Sequence, residues 1–273
     1  MNLKSLATQK PIITYFVLTF FLSWMGALIV IVPRLITGHP ISKFEGILMF
    51  PVMILGPAFS GMWLTYLTEG KGGLRTLMKK MSLARVRLKW YIVTLLLPPL
   101  LILFLLSILK VAFSNSFTPN FFFLGFLFGI PAGFLEEIGW SGFAYPHLSA
   151  RYGFKRASII LGFIWGMWHL PVIDFLGAAS PHGVYWPFFA LSFCIAMAAM
   201  RIIISWIFSN SGSVLMTQLA HAVSTGSLVI FGPSPISPEN EAIWYFLYGI
   251  MLWMVASLIL RLGNFPKTQN VDS

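Results

Sequence analysis

The sequence predicts an all-α fold: a polytopic membrane helix bundle of about eight transmembrane helices, in a single domain covering residues 1–273. Three observations predict it. Hydrophobic residues make up 58% of the chain and charged residues 10%, whereas a soluble domain draws on about 25% charged residues to build its surface. Mean hydropathy is +0.83. Apolar runs recur evenly from end to end, each near the roughly 17–25 residues that a helix needs to cross a bilayer. No repeat, low-complexity segment or soluble domain interrupts them.

The first run, 12–32, follows Lys4 and Lys10 and so resembles a secretory signal. It is too long for a signal core and lacks a small-residue cleavage site, so it reads as a retained helix. The remaining spans are 46–67, 90–109, 121–148, 157–176, 185–208, 213–231 and 242–262. The fourth is long enough to tilt or to extend past the headgroups. Eight crossings place both termini on one side. That side holds Lys4, Lys10, Lys71, Arg75, Lys79, Lys80, Arg85, Arg87, Lys89, Arg151, Lys155, Arg156, Arg261 and Lys267, which is 14 of the 18 Lys and Arg. The opposite loops hold Arg34, Lys43 and Lys110, and Arg201 falls inside a span. An excess of Lys and Arg marks cytoplasmic loops, so both termini are expected to be cytoplasmic.

The formal net charge of +10 therefore faces anionic headgroups; the partner is the bilayer and no nucleic acid is expected. Residues 74–88 mix apolar and basic side chains, which fits either an amphipathic helix on the inner leaflet or a plain topogenic loop. Trp90, Trp186 and Trp244, near span ends, read as interfacial anchors. The lone Cys194 rules out an internal disulfide and a cysteine-based zinc site.

Ionisable residues inside the spans carry the functional signal. Glu136, Glu137, His169 and His221 fall there, although a central charge costs about 2.5–3.5 kcal/mol on insertion scales. Counted from the basic ends of their helices at 1.5 Å per residue, Glu136, His169 and His221 lie at depths of roughly 18, 18 and 12 Å. Three helices thus bring a carboxylate and two imidazoles to similar height, which suggests one site. Successive helical residues diverge by about 100°, so one glutamate faces the site while its neighbour supports it. Each residue also has a structural reading: Glu136 and Glu137 as an ion pair with Arg201, His169 as a donor to a carbonyl freed at Leu170-Pro171, His221 as an interhelical contact. Asp174 reads as solvated, and His39, His147 and His182 as loop or interface residues.

These residues resemble the CAAX prenyl endopeptidase type II family, also known as CPBP or Abi intramembrane proteases. The family pattern is Glu-Glu-x-x-x-Arg, then Phe-x-x-x-His, then His-x-x-x-Asn. Here it is met by Glu136-Glu137 through Ser141 within EEIGWSGFAYPHL, by Trp165 through His169 followed by Leu-Pro, and by His221 through Thr225. The segment running into Lys89-Trp90-Tyr91 is also family-like, and the similarity is clearest over a core at 121–230. The resemblance implies intramembrane hydrolysis of a peptide bond in a membrane-embedded or lipidated peptide. Carried over, Glu136 is the base, His169 positions its water and His221 donates to the oxyanion with Thr225, while Glu137 supports the set.

Each motif departs at one position. Trp165 stands for Phe, Ser141 for the Arg that would pair with Glu137, and Thr225 for Asn. Trp165 and Ser141 are expected to touch substrate, and Arg201 or the Ser141 hydroxyl is expected to hold Glu137. Glu136, His169 and His221 are also a conceivable zinc ligand set with an open fourth position; no HExxH motif is present, and metal-free hydrolysis is the favoured expectation. The substitutions at Ser141 and Thr225 leave a non-catalytic immunity or scaffold protein as the alternative. A proton-coupled transporter comes third, because buried Glu and His also serve as proton relays.

Overall fold

The computed structural model describes residues 3–263; Lys267, one of the basic residues counted above, lies outside them. Eleven α-helices follow in order: α1 Leu3–Gln9, α2 Pro11–Thr37, α3 Lys43–Met53, α4 Leu55–Met81, α5 Leu88–Ala112, α6 Phe126–Gly139, α7 Tyr145–Trp168, α8 Ile173–Leu176, α9 Trp186–Ser211, α10 Val214–Phe231 and α11 Pro238–Leu262. A wide π-helical turn, Trp140–Ala144, joins α6 to α7. No strand occurs among the described residues; Pro119 and Pro233 form an isolated bridge. The protein is an integral, multi-pass helical bundle.

Local chemistry sets the ends. Pro11 opens α2, and Gly38 closes it in the left-handed conformation at φ 69°, which costs glycine little. Ser42 and Glu45 form a reciprocal capping box on α3. Ser237 caps α11, with Glu239 and Glu241 in its first turn and Arg261 in its last, each charge placed to suit the helix dipole.

By length and composition seven helical runs can cross a membrane, against the eight expected. The difference lies in Phe123–Trp168, a run of 46 residues. Unbroken, it would extend about 69 Å, over twice a hydrocarbon core of roughly 30 Å. It is broken at Gly153, at φ 72° and ψ 168°, and Trp165 returns to hydrogen-bond Glu136 across 29 positions. The run folds back on itself and takes in most of the expected span 121–148 and the first part, as far as Trp168, of 157–176. Gly70, at φ 66°, similarly bends α4, and the helix beyond it is amphipathic. Gly73 and Leu77 are buried while Arg75, Thr76 and Lys79 are exposed, so the helical reading of this basic stretch holds as far as Met81.

Loop contacts sort the bundle into two ends. At one, the Ser213 hydroxyl donates to the Leu83 carbonyl at 2.7 Å. At the other, Lys43 Nζ donates to the carbonyls of Gly177 and Ala178, Phe122 N–H to Ile230 and Asn240 to Ser116. The anchor reading of the tryptophans needs correction. Trp90 and Trp244 are 3% and 1% exposed, packed inside the protein, and only Trp186 keeps an exposed face.

Candidate active site

Helices α6, α7, α9 and α10 build the site. α6 meets α10 closely because Gly129 and Gly133 face its backbone: a Cβ on Gly133 would sit 2.4 Å from the Gln218 carbonyl oxygen. Small residues four apart let membrane helices approach this far, and the approach brings His221 of α10 onto Glu137 of α6.

Glu137 is fully paired. Arg201, from α9, grips it bidentately, with Nη2 at 2.7 Å from Oε1 and Nη1 at 2.9 Å from Oε2. His221 Nδ1 lies 2.9 Å from Oε1, and the Ser141 hydroxyl donates to Oε2. Glu137 and Arg201 are both completely buried. Such a pair offsets its desolvation only through excellent geometry and further hydrogen bonds, and both are present. Both supports expected for Glu137 therefore act together, in place of the motif arginine. The Ser141 side chain is spent on this role and does not line the cavity described below.

Glu136 is placed differently. Its Oε2 accepts from Trp165 Nε1 at 2.9 Å and from Trp140 Nε1 at 3.1 Å. Its Oε1 has no hydrogen-bond partner among the described residues. One face of the adjacent pair is thus saturated and the other keeps a free acceptor, as the 100° divergence requires.

Trp165 is the hub. Besides holding Glu136, it stacks under the Arg201 guanidinium at 4.2 Å and meets the rings of His169 and His221 edge-on, at 5.4 and 5.0 Å. His169 donates from Nδ1 to the Trp165 carbonyl at 2.8 Å, as the freed-carbonyl reading expects. A carbonyl only accepts, so in the neutral ring Nε2 carries the lone pair. A carboxylate likewise only accepts, so the His221 Nδ1 proton points at Glu137.

A cavity of about 340 Å³ opens above these groups. Trp165, His169, His221 and Thr225 line its inner wall, Thr225 lying one turn beyond His221. Glu136 does not line it but lies behind the Trp165 indole that it binds. Phe128, Phe193, Leu228 and Tyr245 make the wall largely apolar, while Lys43, Asn120 and Glu241 stand towards the mouth. The zinc reading needs Glu136, His169 and His221 around one point. Among the described residues no group of three His, Cys, Asp or Glu side chains is arranged to hold a metal ion, and Glu136 Oε2 is committed to two indoles.

The sequence reading missed a second cluster at the mouth. His182, 1% exposed, lies between Asp174 at 2.7 Å from Nδ1 and Glu241 at 3.0 Å from Nε2, and stacks on Phe189. Glu241 also accepts the backbone N–H groups of Ala178 and Ala179 at 2.7 Å. Asp174 is therefore paired, not merely solvated, and His182 is a buried clasp of the loop after α8. Burial alone favours the neutral ring, but hydrogen bonds to Glu241 and Asp174, and their charge, outweigh it and raise the His182 pKa above its ordinary value. Three partners separated by 8 and 59 positions leave no local signature.

A family model for type II CAAX prenyl endopeptidases of the Rce1-like kind matches residues 118–227. This core is similar to that family. The chain is also similar to a protein of Methanococcus maripaludis called CAAX prenyl protease 2, 32% identical over 155 residues, which cover 51% of this chain and 56% of that protein. The chain thus spans about half the length of the curated relative it matches. Glu136, Glu137, Trp165, His169, Arg201 and His221 all lie within the matched stretch, although no motif names Arg201; Tyr15, which packs against Trp140, lies outside it.

Proposed function

We propose that this protein is a membrane-embedded endopeptidase of the CAAX-protease type, hydrolysing a peptide bond in a lipidated or otherwise membrane-anchored peptide. The observation that carries the reading is the cavity wall. Two imidazoles and a hydroxyl line it, and a carboxylate with a free oxygen stands directly behind.

In this reading a water held between Glu136 Oε1 and the Nε2 lone pair of His169 gives a proton to Glu136 as its oxygen bonds to the carbonyl carbon. General-base help of this kind is worth roughly 10²–10⁴-fold. The oxyanion accepts from the Thr225 hydroxyl and from His221 Nε2–H. For that donation His221 is protonated on both nitrogens, with the Glu137 carboxylate balancing the ring's charge. Collapse of the intermediate breaks the C–N bond, and Glu136 returns its proton to the departing amine. The apolar walls strengthen each of these interactions by excluding bulk water. No step calls for a metal.

The test is cleavage of a panel of lipidated peptides by the purified protein in liposomes, read by mass spectrometry. Glu136→Gln, which keeps the two indole bonds in reach, is expected to lower the rate by about 10²–10⁴-fold. Equal cleavage by that variant would remove the mechanism, and peptide binding without cleavage by either protein would favour the non-catalytic binding alternative.

A further inference from the structure

The cavity reaches the surface at one particular end of the bundle. Lys43 begins α3, Asn120 precedes α6, Ala178 follows α8, Ser234 follows α10 and Glu241 lies in the first turn of α11; all five line it. These are the segments tied together by the bonds from Lys43 and Glu241. On the inner side the site is sealed. Trp140, Glu136, Glu137 and Arg201 are completely buried, with Tyr15 and Phe143 packed against one another and Tyr15 against Trp140. No lining residue comes from the opposite end, where Lys71–Arg87, Arg151–Arg156 and Arg261 lie.

The two ends differ sharply in cationic charge. Among the described residues, the end with the mouth carries Arg34, Lys43 and Lys110, and the sealed end carries thirteen Lys and Arg. Lysine and arginine in short loops are retained in the cytoplasm. We infer that the cavity opens on the face turned away from the cytoplasm, and that the peptide it takes is presented from the outer leaflet. The mouth fits such a ligand. Lys43 and Asn120, both exposed, offer polar contacts at headgroup level, and the half-exposed Phe122 and Phe128 continue the wall towards the lipid. The orientation stands on charge and geometry alone; the substrate class rests on the peptidase reading above.

The experiment uses the full chain with Cys194→Ala, since Cys194 is the sole cysteine and does not line the cavity. Asn120→Cys marks the mouth, with Ser234→Cys as a second mouth position should the first variant fail to accumulate. Thr76→Cys marks the sealed end without altering its charge. A membrane-impermeant maleimide applied to intact cells is expected to modify the mouth cysteine and to leave Thr76→Cys unmodified until the membrane is permeabilised. Modification of Thr76→Cys in intact cells, equal modification of both, or protection of both mouth positions would overturn the inference. The expected labelling together with failure to cleave a peptide anchored in the outer leaflet would count against the hydrolytic reading and leave the orientation standing.

Discussion

Glu136 and Glu137 are the same side chain twice, and their surroundings divide the work between them. Removing Arg201 leaves the Glu137 carboxylate buried with half its partners, a type of loss that costs about 3–5 kcal/mol. Arg201→Ala is therefore expected to lower stability by that order in detergent unfolding, and the added change Glu137→Gln is expected to recover part of it. Additive losses in the double variant would mean that the pair is not coupled. Thr225 has a shorter reach than the asparagine of the family motif. Thr225→Asn is expected to raise kcat in the peptide assay, within the roughly 10²–10³-fold that one oxyanion donor contributes, whereas Thr225→Val lowers it. At this scale the sequence was legible where chemistry is local. The depth count placed Glu136, His169 and His221 together, because the rise per residue is fixed. It could not place Trp165 between them, because indole reach depends on helix rotation, nor choose between Arg201 and Ser141, because both serve.

Elements add what spacing along one helix cannot show. Gly129 and Gly133 were not singled out in the sequence, because four-residue spacing of small residues does not say which helix meets them; that is decided by the fold. His182 clasps the loop after α8 to the start of α11, and titration of the ring should be felt there. Its folded-state pKa is raised, so its stabilising contribution is complete below the unfolded value of about 6.5 and is lost as pH climbs through the folded value. The groups facing the ring are Asp174 from α8, Glu241 from α11 and Phe189 from α9. Melting temperature is expected to fall as pH rises from that starting point, with His182→Gln flattening the profile. An unchanged profile in the variant would assign the pH response elsewhere.

The whole molecule is layered by burial. In α9, 78% of the most apolar stretch is buried, against 28% in α2 and 33% in α5, so α9 is the central post and the other two face lipid. Hydropathy finds both kinds equally well, because lipid and protein interior are alike to an apolar residue; that is why Trp90 and Trp244 read as anchors yet proved to be core. Ala198 lies against Gly162, where an added Cβ would come within 2.7 Å of its Cα. Ala198→Leu is accordingly expected to destabilise by about 1–3 kcal/mol through overpacking, while the lipid-facing change Phe21→Leu stays within about 0.5 kcal/mol. Thermal unfolding in a single detergent compares the two directly.

The broad turn at Trp140–Ala144 acts as a phase shifter. A π-helical turn holds one residue more than an α-helix would over the same rise, so it resets the azimuth of everything downstream. Deleting Gly142 would leave Glu136 and Glu137 where they are but swing the remainder of the helix by roughly 100°, carrying the Tyr145 hydroxyl off Ser209, which it now meets at 2.6 Å. The surplus residue thus lets one continuous rod satisfy two incompatible registers, one for the carboxylates and another for its far end.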